Sequence, residues 1–287
     1  PDRHDHAAIL ISSHFNHFNP TKKMNLHLQD KHVLITGGSK GIGLACASAF
    51  LQEGAHVTLV ARNSDTLVAA QQELSLTAPA GCKIHVVSAD LTQADAALAA
   101  LAEAEGLGGP IDVLVNSAGA AKKTPAADLK PQDWQNAMQS KFFSYINMMD
   151  PVIKKMAARG QGAIVNVVGN GGKVASPVHL PGGAANAALM LATAGLANAY
   201  AGQGVRVNAV NPGSTFTQRL ENAIAADAKS RLITPDTALS QLTEKLPMGR
   251  IAQPAEVAAA VVFLASSQAS YITGANLSMD GALVPLI

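Results

Sequence analysis

The sequence predicts a single three-layer α/β domain, in which helices cover both faces of a doubly wound parallel sheet. Short β-branched strands alternate with Ala-rich helical segments along most of the chain. These strands are continuously apolar, which is typical of a parallel sheet that is covered on both faces. No linker divides the 287 residues, and a chain of this length can bury one large core.

The first strand, turn and helix carry the clearest functional signal. A strand is predicted at 31–35, a glycine-rich turn follows, and the pattern over 42–51 is helical. Glycine lets the backbone turn tightly and approach a pyrophosphate, which sits on the positive helix N-terminus. The turn residues expected to bind it are Gly37, Ser39, Lys40, Gly41, Ile42 and Gly43. An ordinary Gly-rich turn is the alternative, but a second strand at 56–60 favours a dinucleotide-binding βαβ unit of the Rossmann type.

The later elements continue the same alternation. Further strands are predicted at 83–88, 111–115, 163–168, 205–210 and 275–279, and further helices at 91–104, 131–149, 184–201 and 256–266. A polar insertion at 214–247 follows the end of a strand, where ligands bind in this architecture. We expect it to form a substrate lid on a domain that spans 24–287.

The first 23 residues differ from the rest and show no clear period. We interpret them as an extension upstream of a natural start at Met24, without a core function. Clustered histidines can bind metal, and this segment holds His4, His6, His14 and His17. No Cys or acidic cluster completes a site there, so no metal site is predicted.

The composition indicates which kinds of molecule the protein is expected to bind. A net charge of +1 provides no field that attracts nucleic acid or an anionic membrane. Cys46 and Cys82 make no disulfide framework, and Cys46 is expected to be a small core residue. We find no apolar run of membrane-spanning length. A cytoplasmic protein with a small-molecule substrate is the expectation.

Several ordered motifs resemble the short-chain dehydrogenase/reductase family and cover nearly the whole chain. Asp90-Leu91 resembles the adenine-contacting pair, Asn116-Ser117-Ala118-Gly119 the element after the fourth strand, and Asn211-Pro212-Gly213 with Thr217 the nicotinamide loop. The C-terminal pattern is matched by Gly249-Arg250-Ile251 through Glu256, Phe263-Leu264-Ala265-Ser266, Thr273-Gly274 and Asp280-Gly281. The cofactor contacts that the resemblance implies are Asp90, Leu91, Asn116, Ala118, Gly119, Pro212, Gly213 and Thr217. It also implies a homodimer or homotetramer formed through the 184–201 and 131–149 helices.

The resemblance also locates the catalytic positions. The family uses a Tyr as proton donor, a Lys four residues later, a Ser that orients the carbonyl, and an Asn on an earlier helix. Aligned by the surrounding residues, these positions hold Gly182, Asn186, Gly169 and Lys141 respectively. No Tyr lies between Tyr145 and Tyr200. The chain is therefore predicted to have a degenerate active site in which the Lys and the Asn are exchanged.

Two side chains near this gap have alternative interpretations. Lys141 lies in an apolar helical stripe formed by Trp134, Met138, Phe142, Tyr145 and Met149. It either snorkels to the surface, or its ammonium enters the space of the missing Lys, close to the nicotinamide ribose. His179 is either an exposed structural histidine or a general acid.

The cofactor type is indicated at the end of the second strand. An NAD site places an acidic residue there, whereas this chain has Arg62 and no acid. Arg62 can take a 2′-phosphate bidentately, and Lys40 supplies a second charge; two solvent-facing cations are the alternative. The sequence thus predicts an NADP(H)-binding oxidoreductase acting on a carbonyl or other activated acceptor. The alternative is an inactive dinucleotide-binding sensor or partner subunit.

Overall fold

A computed structural model describes residues 24–119 and 123–285. The interpretation of 1–23 as an extension lies outside the described residues. Seven parallel strands form one sheet in the order β3-β2-β1-β4-β5-β6-β7. The strands are β1 His32–Thr36, β2 His56–Ala61, β3 Ile84–Ser88, β4 Val113–Asn116, β5 Gly162–Val167, β6 Val205–Pro212 and β7 Asn276–Met279. The predicted doubly wound α/β fold is confirmed.

Helices cover both faces of this sheet. They are α1 Gly41–Gln52, α2 Ser64–Ser75, α3 Ala94–Gly108, α4 Pro131–Ala137, α5 Ser144–Ala158, α6 Leu180–Tyr200, α7 Gln218–Arg231, α8 Pro235–Glu244 and α9 Pro254–Ala265. One buried cluster joins α1, α2 and α9 to the sheet, and a second joins α3, α5 and α6 to its other face. Cys46 lies in the first cluster and is fully buried, as predicted.

The long helix predicted at 131–149 is interrupted. A π-helical segment, Met138–Phe143, separates α4 from α5, and α5 continues to Ala158. The π segment changes which side chains face the core. Trp134 is 40% exposed, whereas Tyr145 and Met149 are fully buried. The single apolar stripe expected across this region is therefore wrong, because a straight helical period does not run through it.

Other differences concern polar or irregular segments. Helix α2 was not predicted, α3 begins at Ala94 rather than at 91, and α6 begins at Leu180 rather than at 184. The polar insertion at 214–247 contains α7 and α8, which pack on each other through a small cluster of their own around Ile224, Ala228 and Ala238. Because most of their surface is exposed, these helices lack the apolar runs that marked the core elements.

Helix α6 corrects one expectation about composition. Residues Leu180–Gln203 are long and apolar enough, by length and composition, to span a membrane, so the expectation of no such run was wrong. A helix in the core of a globular protein passes the same test, and α6 packs one side against the sheet through Ala185, Leu189 and Ala197. Its opposite side, which includes Leu191, is exposed.

Candidate active site

The carboxyl ends of the parallel strands bring the predicted site residues to one edge of the sheet. The glycine turn after β1 is packed closely: a Cβ on Gly43 would lie 2.2 Å from the carbonyl oxygen of Gly37. Gly37 itself has φ +66°, a conformation that favours glycine. Among the described residues no side chain caps the N-terminus of α1, so its peptide N–H groups are available for an anionic ligand. This cradle fits a dinucleotide pyrophosphate.

Other predicted cofactor residues lie around this turn in different environments. Thr217 caps α7, and its Cγ2 would lie 3.4 Å from a Cβ on Gly41. The amide of Asn116 is fully buried and bonded to Thr36 and Asn166, so its side chain has a structural role between strands. Asp90 is exposed and accepts hydrogen bonds from the backbone and hydroxyl of Thr92.

The remaining predicted cofactor residues complete this edge. Arg62 follows β2 and Lys40 precedes α1, and both side chains are exposed. In the described part of the chain neither forms an ion pair with an acid, which leaves both available to a phosphate. Residues that are partly or fully buried at the strand ends and in the glycine turn supply backbone surface: Ser39, Ile42, Leu91, Ala118, Gly119, Pro212 and Gly213.

Lys141 lies in the π-helical segment, and its ammonium points inward. Its Nζ donates to the hydroxyl of Tyr145 at 2.8 Å and to the carbonyl oxygen of Val167 at 3.1 Å. Tyr145 in turn donates to the same carbonyl at 2.7 Å. The ammonium therefore has acceptors at the end of β5. The side chain does not snorkel to the surface, which was the alternative interpretation.

Burial changes the charge balance of Lys141. Desolvation, and secondly the nearby Arg219 guanidinium, lower the pKa of Lys141 to about 7. Desolvation likewise raises the pKa of the Tyr145 hydroxyl, so that it stays protonated. An amine that titrates near neutrality is rare, because an ordinary Lys remains charged well into the alkaline range.

This pKa predicts a pH-dependent stability. Folded Lys141 loses its proton near pH 7, while an unfolded Lys keeps it to about pH 10.4. Between these values the unfolded chain binds more protons, so stability should rise with pH by about 1.4 kcal/mol per unit. Urea unfolding of the wild type and Lys141→Met at several pH values from 7 to 9 should show this rise only in the wild type.

The exposed Lys229 on α7 provides the control. Lys229→Met should follow the wild-type profile because its ammonium remains in water in both states. Parallel pH profiles for the wild type and Lys141→Met would show that Lys141 is charged throughout this range in the folded protein.

Asn186 faces a segment of small residues. A Cβ on Gly169 would lie 3.3 Å from Asn186 Nδ2, and one on Gly171 would lie 3.8 Å from the same atom. Asn186 is buried, and its Oδ1 has no hydrogen-bond partner in the described structure. Gly169 and Asn186 are therefore neighbours, and a polar side chain borders the space that Gly169 leaves.

His179 lies at the same segment. It precedes α6, and its Cδ2 would lie 3.3 Å from a Cβ on Gly171. The ring is half-buried and its Nδ1 has no partner among the described residues. Burial, and then the charges of Lys123 and Lys141, lower the pKa of His179 below its ordinary value. The imidazole is thus mainly neutral at pH 7, which weakens the case for His179 as a general acid.

Gly182 occupies the first turn of α6 and is buried. None of the chain's three tyrosines stands in its place. Tyr145 is bound to Val167, Tyr200 is the last residue of α6, and Tyr271 is fully exposed after α9.

Sequence reasoning missed Arg219. Its Nη2 donates to the carbonyl oxygen of Gly119 at 3.3 Å, which places the guanidinium above the end of β4. A cation two residues after Thr217 was the available signal, but the insertion was interpreted only as a substrate lid.

Comparison with known proteins agrees with this geometry. A family model described as Enoyl-(Acyl carrier protein) reductase matches residues 37–283, and the chain belongs to the short-chain dehydrogenase/reductase family. Galactitol 2-dehydrogenase (L-tagatose-forming) of Cereibacter sphaeroides is 36% identical over 86% of this chain and 92% of its own.

Two solved structures are informative. L-sorbose reductase of Gluconobacter frateurii, complexed with NADPH and L-sorbose, has a TM-score of 0.87 at 29% identity, covering 92% of this chain and all of its own. An NADPH-bound short chain oxidoreductase of Pseudomonas aeruginosa PAO1, described as containing an atypical catalytic center, has a TM-score of 0.82 at 29% identity, covering 90% and 100%.

Proposed function

We propose that this protein is an NADP(H)-dependent oxidoreductase that reduces a carbonyl or other activated acceptor through a degenerate active site. The observation that carries this proposal is that Lys141 and Asn186 both lie at or just beyond the end of β5. The half-buried Lys141 directs its ammonium to the end of β5, and Asn186 borders the space at Gly169. Both lie beside a complete glycine cradle, so the cofactor elements and an unusual set of polar groups share one edge of the sheet.

The prediction of NADP(H) as cofactor is confirmed. The L-sorbose reductase and the Pseudomonas oxidoreductase were both solved with NADPH. In this chain Gly37, Gly41 and Gly43 would hold the pyrophosphate at α1. Arg62 and Lys40 would hold the 2′-phosphate, because both are exposed cations without an acid partner in the described structure.

NADPH, when bound, supplies the hydride. The chain's own residues must then orient the acceptor and stabilise the negative charge that develops on its oxygen. The Asn186 amide is a neutral donor and can hydrogen-bond a carbonyl but not protonate it. Lys141 was predicted to position the cofactor; its pKa of about 7 also matches it to proton donation at neutral pH.

The insertion at 214–247 is proposed to act as the substrate lid, with Thr217 beside the glycine turn and α7 and α8 outside it. The relatives named above include enzymes that act on polyols and ketoses, so a small polar carbonyl compound belongs among the substrates to be tested.

A cytoplasmic location of the protein also stays a prediction.

The alternative is a dinucleotide-binding protein without turnover. It is favoured by the absence of a side chain at Gly169 and Gly182, since none of the tyrosines takes the place of Gly182 and the hydroxyl of Tyr145 is bonded to Val167. Binding of NADPH followed by turnover assays with dicarbonyls, quinones and simple ketones separates the two functions. Tight binding with no oxidation of NADPH by any acceptor would support the sensor or partner-subunit function.

Cofactor preference provides a direct prediction. NADPH should bind more tightly than NADH, and Arg62→Ala should lose about 10–100-fold of this preference, since a charge-assisted contact contributes about 1.5–3 kcal/mol. Titration of both cofactors by fluorescence measures it. Lys83→Ala, which removes an exposed cation just before β3, is the control. Equal affinities of the wild type for NADPH and NADH would contradict the role of Arg62.

Self-association is a further prediction. The exposed face of α6 carries Ala184, Ala187, Leu191 and Gly195, and Leu191 is 77% exposed. Small apolar faces allow close helix packing, and a symmetric contact would pair α6 with itself. We expect sedimentation to show a dimer or tetramer that Leu191→Arg dissociates, whereas Leu98→Arg on α3 leaves it intact. A monomeric wild type at micromolar concentration would exclude this interface.

A further inference from the structure

Basic groups surround the mouth of the proposed active site. Arg219 acts electrostatically on Lys141, and Lys123 and Lys141 act on His179. The segment of Lys123 is held beside His179, because the N–H of Thr124 donates to the carbonyl oxygen of Val178 at 3.0 Å. Among the described residues no carboxylate shifts the pKa of Lys141, Tyr145 or His179. The carboxylate of Asp280 also reaches this segment, where it accepts a hydrogen bond from Asn170 Nδ2 at 2.7 Å. The basic groups outnumber this acid, so the cleft has an excess of positive charge.

Arg219 is the most accessible of these cations. It lies in the first turn of the lid helix α7, and its side chain is exposed. Its hydrogen bond to the carbonyl of Gly119 engages one of five guanidinium N–H groups. Gly119 in turn lies against Lys141, because a Cβ on Gly119 would be 3.2 Å from both Cα and Cδ of Lys141. Arg219 therefore stands on the same side of the cleft as Lys141, away from Arg62 at the end of β2.

The N-terminus of α6 adds to the positive field. Helix α6 has 21 residues, and no side-chain hydrogen bond caps it in the described structure. Its dipole places partial positive charge beside His179 and the Gly169–Gly172 segment. This feature alone would not define a site.

The polar side chains at this segment provide an independent observation. Asn186 is only 6% exposed, and its Oδ1 lacks a partner in the described structure. The buried Nδ1 of His179 also lacks one. Asn170, in the same segment, has an unpartnered Oδ1 as well. Buried polar atoms are normally hydrogen-bonded, so these three unpartnered atoms indicate a polar molecule in the cleft.

We propose that the substrate is a carbonyl compound that carries a carboxylate, with the carboxylate bound by Arg219 and Lys123 and the carbonyl directed to Asn186. This inference rests on the proposed function and narrows its substrate class. The planar guanidinium suits a carboxylate because it can donate two parallel hydrogen bonds.

A matched pair of substrates tests this proposal. Benzoylformate and its methyl ester present similarly activated carbonyls and differ in charge. In the wild type kcat/KM should favour the acid, and Arg219→Ala should reduce that preference by about tenfold or more. The ratio of kcat/KM for acid and ester is the readout, because loss of Arg219 also removes a charge that lowers the pKa of Lys141 and so affects turnover of both substrates alike. The affinity for NADPH should change little. Arg219→Lys should restore part of the preference, since it keeps the positive charge but not the two parallel hydrogen bonds of the guanidinium.

Arg231 provides a control on the same helix, because its guanidinium is paired with Asp227. Arg231→Ala should keep the wild-type preference. Binding of benzoylformate to the NADPH complex, measured by NADPH fluorescence, gives a readout that needs no turnover. If neither the wild type nor the variants turn over any substrate, but Arg219→Ala binds benzoylformate more weakly, the proposed oxidoreductase function is rejected and the carboxylate site is retained.

Three results would overturn the proposal. One is equal binding of benzoylformate by the wild type and Arg219→Ala. Another is failure of the wild-type complex to bind benzoylformate at millimolar concentration. The third is a loss of NADPH affinity in Arg219→Ala with unchanged benzoylformate binding, which would assign the arginine to the cofactor.

Discussion

Wild-type protein is expected to reduce a simple ketone about 10²–10⁴-fold more slowly than a family member that has a tyrosine at the position of Gly182, since general acid catalysis contributes about this factor. Gly182 and Gly169 supply no side chain to the acceptor oxygen. Dicarbonyls and quinones need less proton assistance and should be the better acceptors. The space left by two missing side chains should also admit bulkier molecules.

The residual rate should depend on Lys141. We expect Lys141→Ala to lose most turnover of a dicarbonyl, and His179→Ala to retain most of it because that imidazole is mainly neutral. If Lys141 donates the proton, kcat should fall as pH rises above about 7, whereas a purely positioning role should appear in the KM for NADPH. Measurement of NADPH oxidation against pH separates these roles.

Two results would contradict this view of the site. Fast turnover of a simple ketone by the wild type would refute a degenerate active site. Unchanged rates in Lys141→Ala would leave Lys141 as a structural residue that ties the π-helical segment to the carbonyl of Val167.

Gly43→Ala is expected to weaken NADPH binding by about 10–100-fold, corresponding to the 1–3 kcal/mol typical of overpacking. The new Cβ would lie 2.2 Å from the carbonyl oxygen of Gly37 and 2.8 Å from its carbon. Both contacts are with backbone, so the glycine turn itself must move away from α1. Equilibrium titration with NADPH measures this effect.

Gly106→Ala in α3 is the matched control, because a Cβ there meets nothing within 4 Å. It should leave NADPH affinity unchanged and stabilise the helix slightly. If Gly43→Ala bound NADPH as the wild type does, the close packing of the turn would not be a requirement for the cofactor site.

The parallel sheet and its glycine turn could be predicted from the sequence because their requirements are local. A strand buried on both faces needs a continuous apolar run, as in β1 and β4. The turn needs glycine at position 43, because a Cβ there would lie 2.2 Å from the carbonyl oxygen of Gly37. The order of these signals along the chain was enough to define the doubly wound fold.

Helices α7 and α8 could not be found in the same way. Their surfaces are mostly exposed, and only a few residues such as Ile224 and Ala228 are buried between them. Weak signals were present, since Thr217 and Thr234 accept hydrogen bonds from the first turns of these helices. A polar segment with so few apolar positions resembles a loop when it is read for periodicity alone.

The chemistry of the candidate site depends on both the sequence and the tertiary structure. The residues proposed to make it unusual, Lys141, Gly169, Gly182 and Asn186, were predicted from their surroundings in the sequence. The charge state of Lys141 was decided only by the tertiary structure. Its acceptors belong to α5 and β5, its desolvation comes from several elements, and Arg219 reaches it from the lid. A pKa depends on distances in space, and segments far apart in the sequence determine those distances.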